Sequence, residues 1–185
     1  MEIVGIDVDN KTDGSGKAAL TFLSVNTVGD RMAMNRNPKT VDGNTDYTAG
    51  GWQYSDLRTY LREDLFNTLP DIIRENIKPV TKITSDFVNG TLITESTPDT
   101  LWIPSVREVG LGNDYETSGA IYDSKFIDTF SRIKYNVSNY ADYYRLRSLT
   151  YDDGTESFAT VNGIGDLYLG YGPREQGGIV VGFCI

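Results

Sequence analysis

Apolar and polar positions alternate from the first residues: Ile3 and Val4, then Ile6 and Val8, precede a polar run over 9–16. This turn-rich run, followed by the apolar stretch 18–25, predicts a β-hairpin that pairs the N-terminus into a sheet. Residues 35–51 carry many turn formers and no period, which predicts an irregular loop. Ser55 then stands where a helix N-cap belongs, with Leu57, Tyr60, Leu61 and Leu65 on one face. Thr68 or Leu69-Pro70 opens a second helix with Ile73 and Ile77 inward, and Pro79 ends it. Residues 81–97 alternate weakly through Ile83, Phe87, Leu92 and Ile93, which predicts a hairpin turning at Asn89-Gly90. Ser105 and Glu108 have capping-box spacing after Pro104, and Gly110 and Gly112 keep the helix they open short. Loops dominate from there until the last strands. The chain ends on Gly178-Ile179-Val180-Val181-Gly182-Phe183-Cys184-Ile185, a run that stays soluble only inside a sheet, so the final strand is expected to be buried and central.

This order predicts an α+β domain, with two helices flanking small antiparallel sheets, long irregular loops, and N- and C-terminal strands adjacent. The 185 residues fit one domain, 1–185, large enough for a core without staples.

Charge and composition narrow the function classes. A net charge of −9 and a pI near 4.5 exclude a phosphate-backbone partner, which needs a basic face. No apolar run approaches the roughly 20 residues of a membrane span, and the start lacks the basic and apolar regions of a signal peptide. The expectation is export by other means, an excised domain beginning at Met1, or a protein released by lysis. The chain has no histidine, which removes the commonest general base and every Ser/His or Cys/His pairing. Cys184, the one cysteine, falls in the final apolar run and reads as a packed small residue. Asp152, Asp153 and Glu156 would be the carboxylates of a glycosidase, but neighbouring acids in a turn read first as solvated loop residues. No cofactor is expected. Residues 7–14 resemble a calcium loop superficially, but Lys11 occupies the fifth position from Asp7, and Leu20 the twelfth from Asp9. A plain turn is expected there; calcium on scattered loop carboxylates stays open.

Tyrosine distribution carries the sharper hypothesis. Nine of the twelve tyrosines fall between Tyr115 and Tyr171. Tyrosine supplies large amphipathic contact area at low entropy cost, and the interleaved Asp, Asn and Gly supply adaptable loops. Along the strand Tyr143 to Arg147, the apolar Leu146 places Tyr144 and Leu146 inward and Tyr143 and Arg145 outward. The expected ligand-binding set is Tyr140, Tyr143, Arg145, Tyr151, Asp152, Asp153, Tyr168 and Tyr171.

Gly50-Gly51-Trp52, Leu69-Pro70, Ile77-Lys78-Pro79-Val80, Leu101-Trp102, Ser105-Val106-Arg107-Glu108, Leu146-Arg147-Ser148 and Gly182-Phe183-Cys184-Ile185 occur in order over most of the chain. This series resembles a domain of the C-type-lectin-like class, which also includes formylglycine-generating enzymes, found in phage tail and prophage proteins and in surface proteins of Gram-positive bacteria. Arg145 and Leu149 depart from the pattern, which has Trp and Pro there. The resemblance implies a C-type-lectin-like fold whose long insert and last loops make the ligand surface, with Arg147 binding loop carbonyls instead of ligand. It does not carry over enzymatic activity, which needs a cysteine pair. It also implies that the loops 136–176 are a candidate variable segment of the kind diversified by retroelements.

The resulting expectation is non-enzymatic recognition of a host cell-surface receptor, protein or glycan, by a phage tail-fibre tip or a surface-displayed adhesin. The location would be the virion or the bacterial surface, and the assembly the resemblance suggests is a homotrimer. The competing readings are a structural virion component and a carbohydrate-active enzyme.

Overall fold

The computed structural model describes residues 1–88, 91–112, 116, 118–152 and 155–185. The predicted N-terminal hairpin forms from β1 (Glu2–Ile6) and β2 (Leu20–Leu23), antiparallel, with Ile3 opposite Phe22. A short hairpin follows, β3 (Lys39–Val41) with β4 (Asn44–Asp46). Ser55 caps the helix as expected, its Oγ accepting from the Arg58 N–H at 3.1 Å, and Leu57 and Leu61 are buried. That helix runs as α1 (Asp56–Tyr60), a π-turn (Leu61–Leu65) and α2 (Phe66–Thr68).

The expected α+β class, with two helices flanking the sheets in a C-type-lectin-like arrangement, is overturned: the molecule is mostly β, in small separate sheets. The second helix is one turn, α3 (Asp71–Arg74). Pro79 disfavours helical geometry at Lys78, four residues beyond the end of that turn. Lys78 instead donates its N–H to the Cys184 carbonyl at 2.8 Å, while Ile77 is delivered to the core.

β5 (Val80–Val88) and β6 (Thr91–Asp99) make the predicted hairpin, in continuous register from Val80 opposite Asp99 to Val88 opposite Thr91. The expected turn Asn89-Gly90 lies outside the described residues. Ser105 and Glu108 form a reciprocal capping box: the Ser105 N–H donates to Glu108 Oε2 at 3.0 Å and the Glu108 N–H to Ser105 Oγ at 3.2 Å. It closes an irregular turn and opens no helix. A 3₁₀ turn (Phe130–Arg132) leads into the hairpin β7 (Lys134–Tyr135) and β8 (Ala141–Asp142).

β9 (Tyr144–Asp152), β10 (Thr155–Val161) and β11 (Leu167–Tyr168) make a sheet with β10 in the middle. β12 (Gly182–Cys184) pairs with β2. The apolar tail is buried as expected, but its strand is not central: β2 lies between β1 and β12. The N- and C-terminal strands therefore flank a common neighbour. The other side of β12 is closed by a bridge between Gly182 and Trp102, and a Cβ at Gly182 would meet the indole at 2.4 Å.

Register explains the failure of the alternation rule on β9. Phe158 faces Leu149 and Thr160 faces Arg145, so Leu146, Arg147 and Ser148 together oppose Ala159. This bulge bends the strand and turns both parities inward. Tyr144, Arg145, Leu146 and Arg147 are all buried.

The charges buried here are compensated. Arg147 donates to both carboxylate oxygens of Glu108 at 2.5 and 2.9 Å, to the Ile103 and Ile83 carbonyls, and to Thr84. Lys82 donates to Asp9 at 2.6 Å, Glu108 at 2.9 Å and Tyr122 at 2.8 Å, with its Nζ 3.5 Å from the centre of a Trp102 ring. Burial works to raise the Glu108 pKa, but Arg147 and Lys82 outweigh it and hold the carboxyl at about 2. The set of Asp9, Lys82, Glu108 and Arg147 balances to zero formal charge and joins β5 to β9.

Candidate binding face

Arg145 organises the face on which the sequence placed its ligand residues. Its guanidinium lies beneath residues 171–175, donating to the Tyr171 carbonyl at 3.1 Å, the Gly172 carbonyl at 2.7 Å, the Glu175 carbonyl, and Thr160 Oγ1 at 3.3 Å. Burial lowers its pKa to about 10, so it remains a cation at neutral pH. The expectation of an outward Arg145 is therefore corrected: it grips loop carbonyls and does not reach for ligand. Arg147, the arginine for which the resemblance implies that role, instead pairs with Glu108 and donates to the carbonyls of Ile103 and of Ile83 on β5.

Above the guanidinium lies the Tyr171 ring, its centre 4.6 Å away. Tyr143 stacks on Tyr171 at 5.6 Å, and Tyr168 meets Tyr143 edge-on at 5.8 Å. Such pairs contribute about 0.5–1.5 kcal/mol beyond area burial. Arg31 donates to the Tyr171 hydroxyl at 3.2 Å and pairs with Asp142 at 3.5 Å, which anchors the far edge. Tyr143 and Tyr168 keep 37% and 40% exposure, so the trio is partly open to solvent and ordered by mutual packing.

The residues that follow, Gly172, Pro173, Arg174 and Glu175, line a cleft of about 840 Å³. Across it stand Tyr151 and Glu156 from the β9–β10 hairpin, and Asn44, Asp46 and Tyr47 from β4 and its exit. Tyr151 packs against Phe87 with ring centres 5.7 Å apart, and the Arg174 guanidinium lies 5.1 Å from the Tyr47 ring centre. Tyr47 is fixed through its carbonyl, which accepts from the buried Asn35 amide at 2.7 Å. Glu156 accepts from Thr48 Oγ1 at 3.3 Å, and burial raises its pKa.

Of the residues expected to bind, Tyr143, Tyr168 and Tyr171 come together, and Tyr151 lines the cleft beside their loop. Tyr140 is exposed on the β7–β8 turn and joins no ring contact among the described residues. Asp152 ends β9 opposite Thr155, and Asp153 lies outside the described residues. Tyr47 and Arg174 were missed, because nothing local distinguishes them in irregular segments. Asparagine, glycine and tyrosine around 44–54 were the one available signal.

Residues 21–185 match the model of a family described as a domain of unknown function, DUF6273. The chain belongs to the DUF6273 family. No curated protein and no solved structure matches it. The matched span of the DUF6273 domain contains the whole tyrosine face, its arginine support and both walls of the cleft. Among the described residues of the domain, no cluster of three metal-ligating side chains is present and no helix is long and apolar enough to cross a membrane.

Proposed function

We propose that the domain is a non-enzymatic recognition module, which takes an elongated surface ligand across the cleft between Tyr47 and Tyr151 and the adjoining tyrosine trio. The observation that carries this is the pinned loop: one buried guanidinium fixes residues 171–175, so that aromatic rings stand on both of its flanks. Preorganised rings lose little entropy on binding, which favours recognition over ordinary packing. Open tyrosine faces with interspersed carboxylates and amides suit a hydroxyl-rich glycan chain, whose C–H faces pack on rings while its hydroxyls meet polar groups. Cys184 gives no nucleophile, since burial pushes its thiol up to about 12. The biological setting proposed is host attachment, on a phage tail tip or a bacterial surface.

The test is adsorption of the labelled full chain to Gram-positive cells with intact or genetically stripped surface polysaccharide. Binding to intact cells, reduced at least tenfold by Tyr47→Ala or Tyr151→Ala with unchanged thermal unfolding, is expected. Equal binding to stripped cells, or no effect of either substitution, would overturn the reading.

A specific surface favours a second reading. Phe130, Ile164 and Val137 are 79%, 64% and 91% exposed. Their segments are joined by the Arg132 Nε donation to the Gly165 carbonyl at 2.8 Å and by Gly163 lying against Ala141. Such an apolar end suits packing against a neighbouring subunit in an assembly, the homotrimer included. Sedimentation equilibrium of the full chain checks it: an oligomer dissolved by Phe130→Ser supports it, and a monomer at all concentrations removes it.

A further inference from the structure

Six carboxylates are buried among the described residues, and five have strong partners. Asp9 has Lys82, Asp99 has Arg58 and the Trp52 indole N–H, and Glu108 has Lys82 and Arg147. Glu116 accepts from the Ser85 and Arg107 N–H groups and from Ser148, and Asp142 pairs with Arg31. Asp86 is the exception. It is 3% exposed, and its Oδ1 accepts from the Phe87 N–H at 2.7 Å. Its Oδ2 has no hydrogen-bond partner among the described residues, and the side chain lines a cavity of about 160 Å³. Holding a carboxylate here without a compensating charge is costly, and a cation seated at the free oxygen would offset that cost.

The walls indicate the partner's chemistry. Asp42 and Glu95 bring further negative charge, Tyr54 and Phe87 bring rings, Val41 and Ala49 bring apolar surface, and among the described residues no lysine or arginine lines the space. Gly51, at φ +52°, lies directly against the carboxylate: a Cβ there would sit 2.8 Å from the Asp86 carboxyl carbon. Backbone thus closes one side and leaves the cavity mouth to the guest. A hard divalent ion would need several oxygens to converge, and no such cluster exists among the described residues. A guanidinium prefers two parallel acceptors, whereas one carboxylate oxygen is free here. A point-charge ammonium on an alkyl stem satisfies the free oxygen, the rings and the apolar walls together. The volume also fits, since a cavity of about 150 Å³ takes a benzene-sized guest.

We propose that this pocket binds a primary alkylammonium group, with Asp86 as its counter-ion and Tyr54 and Phe87 against its stem. The pocket is a separate site from the cleft of the glycan reading: among the described residues the two share Asn44 as a lining residue and meet at the Phe87–Tyr151 contact. Burial raises the Asp86 pKa to about 6 against the Phe87 N–H, and Glu95 on β6 and Glu156 on β10 add to the rise. Asp42, from the β3–β4 turn, is the other acid at the cavity, and Tyr54 faces it from the segment before α1. Binding of an ammonium therefore weakens in acid, when Asp86 takes up a proton.

The test is amide chemical-shift titration of the full chain with n-butylammonium, with Nα-acetyl-lysine methylamide, and with the neutral isostere Nα-acetyl-norleucine methylamide. The two ammonium probes are expected to shift Gly50, Gly51, Tyr54 and Phe87 saturably, at least tenfold more tightly than norleucine. Tighter binding of the lysine probe than of butylammonium identifies a peptide side chain as the source, and equal binding identifies a free amine. Affinity should fall about tenfold from pH 7 to pH 5 as the ionised fraction falls. Asp86→Asn, which keeps the acceptor for the Phe87 N–H, should abolish binding with a native spectrum, and Tyr168→Ala, in the tyrosine trio and away from the cavity walls, should leave it unchanged. Equal binding of norleucine, binding retained in Asp86→Asn, or no saturable shift would overturn the proposal.

Discussion

Glu108→Gln is the sharpest probe of the scaffold, because it changes charge and almost no volume. Glu108 is 1% exposed and accepts from Lys82, both terminal nitrogens of Arg147, the Ser105 N–H and the Tyr122 hydroxyl. The amide removes the carboxylate that Lys82 and Arg147 share and leaves the two cations with Asp9 and the field of the buried Glu116. Breaking a buried pair in this way costs about 3–5 kcal/mol. The acid–base properties give a second measure: the carboxyl titrates at about 2 when folded against 4.5 for an unperturbed glutamate. At about 1.4 kcal/mol per unit, that difference corresponds to about 3 kcal/mol. Domain stabilities run to about 5–15 kcal/mol, so the variant should fold with a large part of its margin gone. The folded pKa is depressed, so the contribution is fully present above pH 4.5 and disappears as the pH falls through 2. Urea unfolding followed by the fluorescence of the buried Trp52 and Trp102 should show the full gap at pH 7 and a narrowing gap toward pH 3. A loss below about 1 kcal/mol at pH 7, or a gap independent of pH, would refute the claim that this network is a tightly coupled ion cluster.

Two further substitutions test the pinned loop and the Asp86 cavity. Arg145→Lys keeps the charge but cannot span the carbonyls of Tyr171, Gly172 and Glu175 with one compact ammonium. We expect a loss of about 2 kcal/mol and faster amide exchange over 172–177, and unchanged exchange there would count against the pinned loop. Asp86→Asn should stabilise the free protein above pH 6 by about 1–2 kcal/mol, after allowance for solvent at the cavity mouth. The folded carboxyl takes up protons between pH 6 and 3.8, so this gain should fade across that window and vanish below it; destabilisation at pH 7.5 would mean that the carboxylate has a stabilising partner.

Local signals were legible wherever one side chain acts on its own backbone. Ser55 capped its helix, and Ser105 and Glu108 closed their box although no helix followed. The hairpins over 2–23 and 80–99 followed from alternation and turn residues. Alternation failed where polar groups are satisfied at long range. On β5 the inward parity is Lys82, Thr84 and Asp86, while Ile83 and Phe87 are half-buried, the reverse of what hydropathy suggests. Lys82 can face inward only because Asp9, 73 residues earlier, and Glu108, 26 later, wait there. The same cause hid the cleft, whose walls at Tyr47, Tyr151 and Arg174 are brought together by distant anchors at Asn35 and Arg145.

β5 and β9 join these observations into one design. Along one face of β5 stand Lys82, Thr84 and Asp86, spaced by two residues and so spanning about 13 Å from first to last. Lys82 is held by four groups at one end, Thr84 accepts from Arg147 on β9, and Asp86 stands unpaired at the other end beside the cavity. A slip of one residue in β5 would exchange Asp86 for Phe87 or Ser85 at the pocket and would withdraw Lys82 from its carboxylates. The compensated charges therefore hold β5 in the register that the uncompensated one needs, and β9, packed against β5 from a separate sheet, delivers Tyr151 against Phe87. Glu108→Gln should accordingly loosen the Tyr151–Phe87 contact as well as the core, although Glu108 makes no hydrogen bond to either residue among those described. Line-broadening at the Phe87 and Tyr151 amides in that variant, absent from Arg145→Lys, is the expected signature of coupling through the β5–β9 seam; sharp, unshifted amides at both positions would show that the pocket holds its shape without the ion cluster.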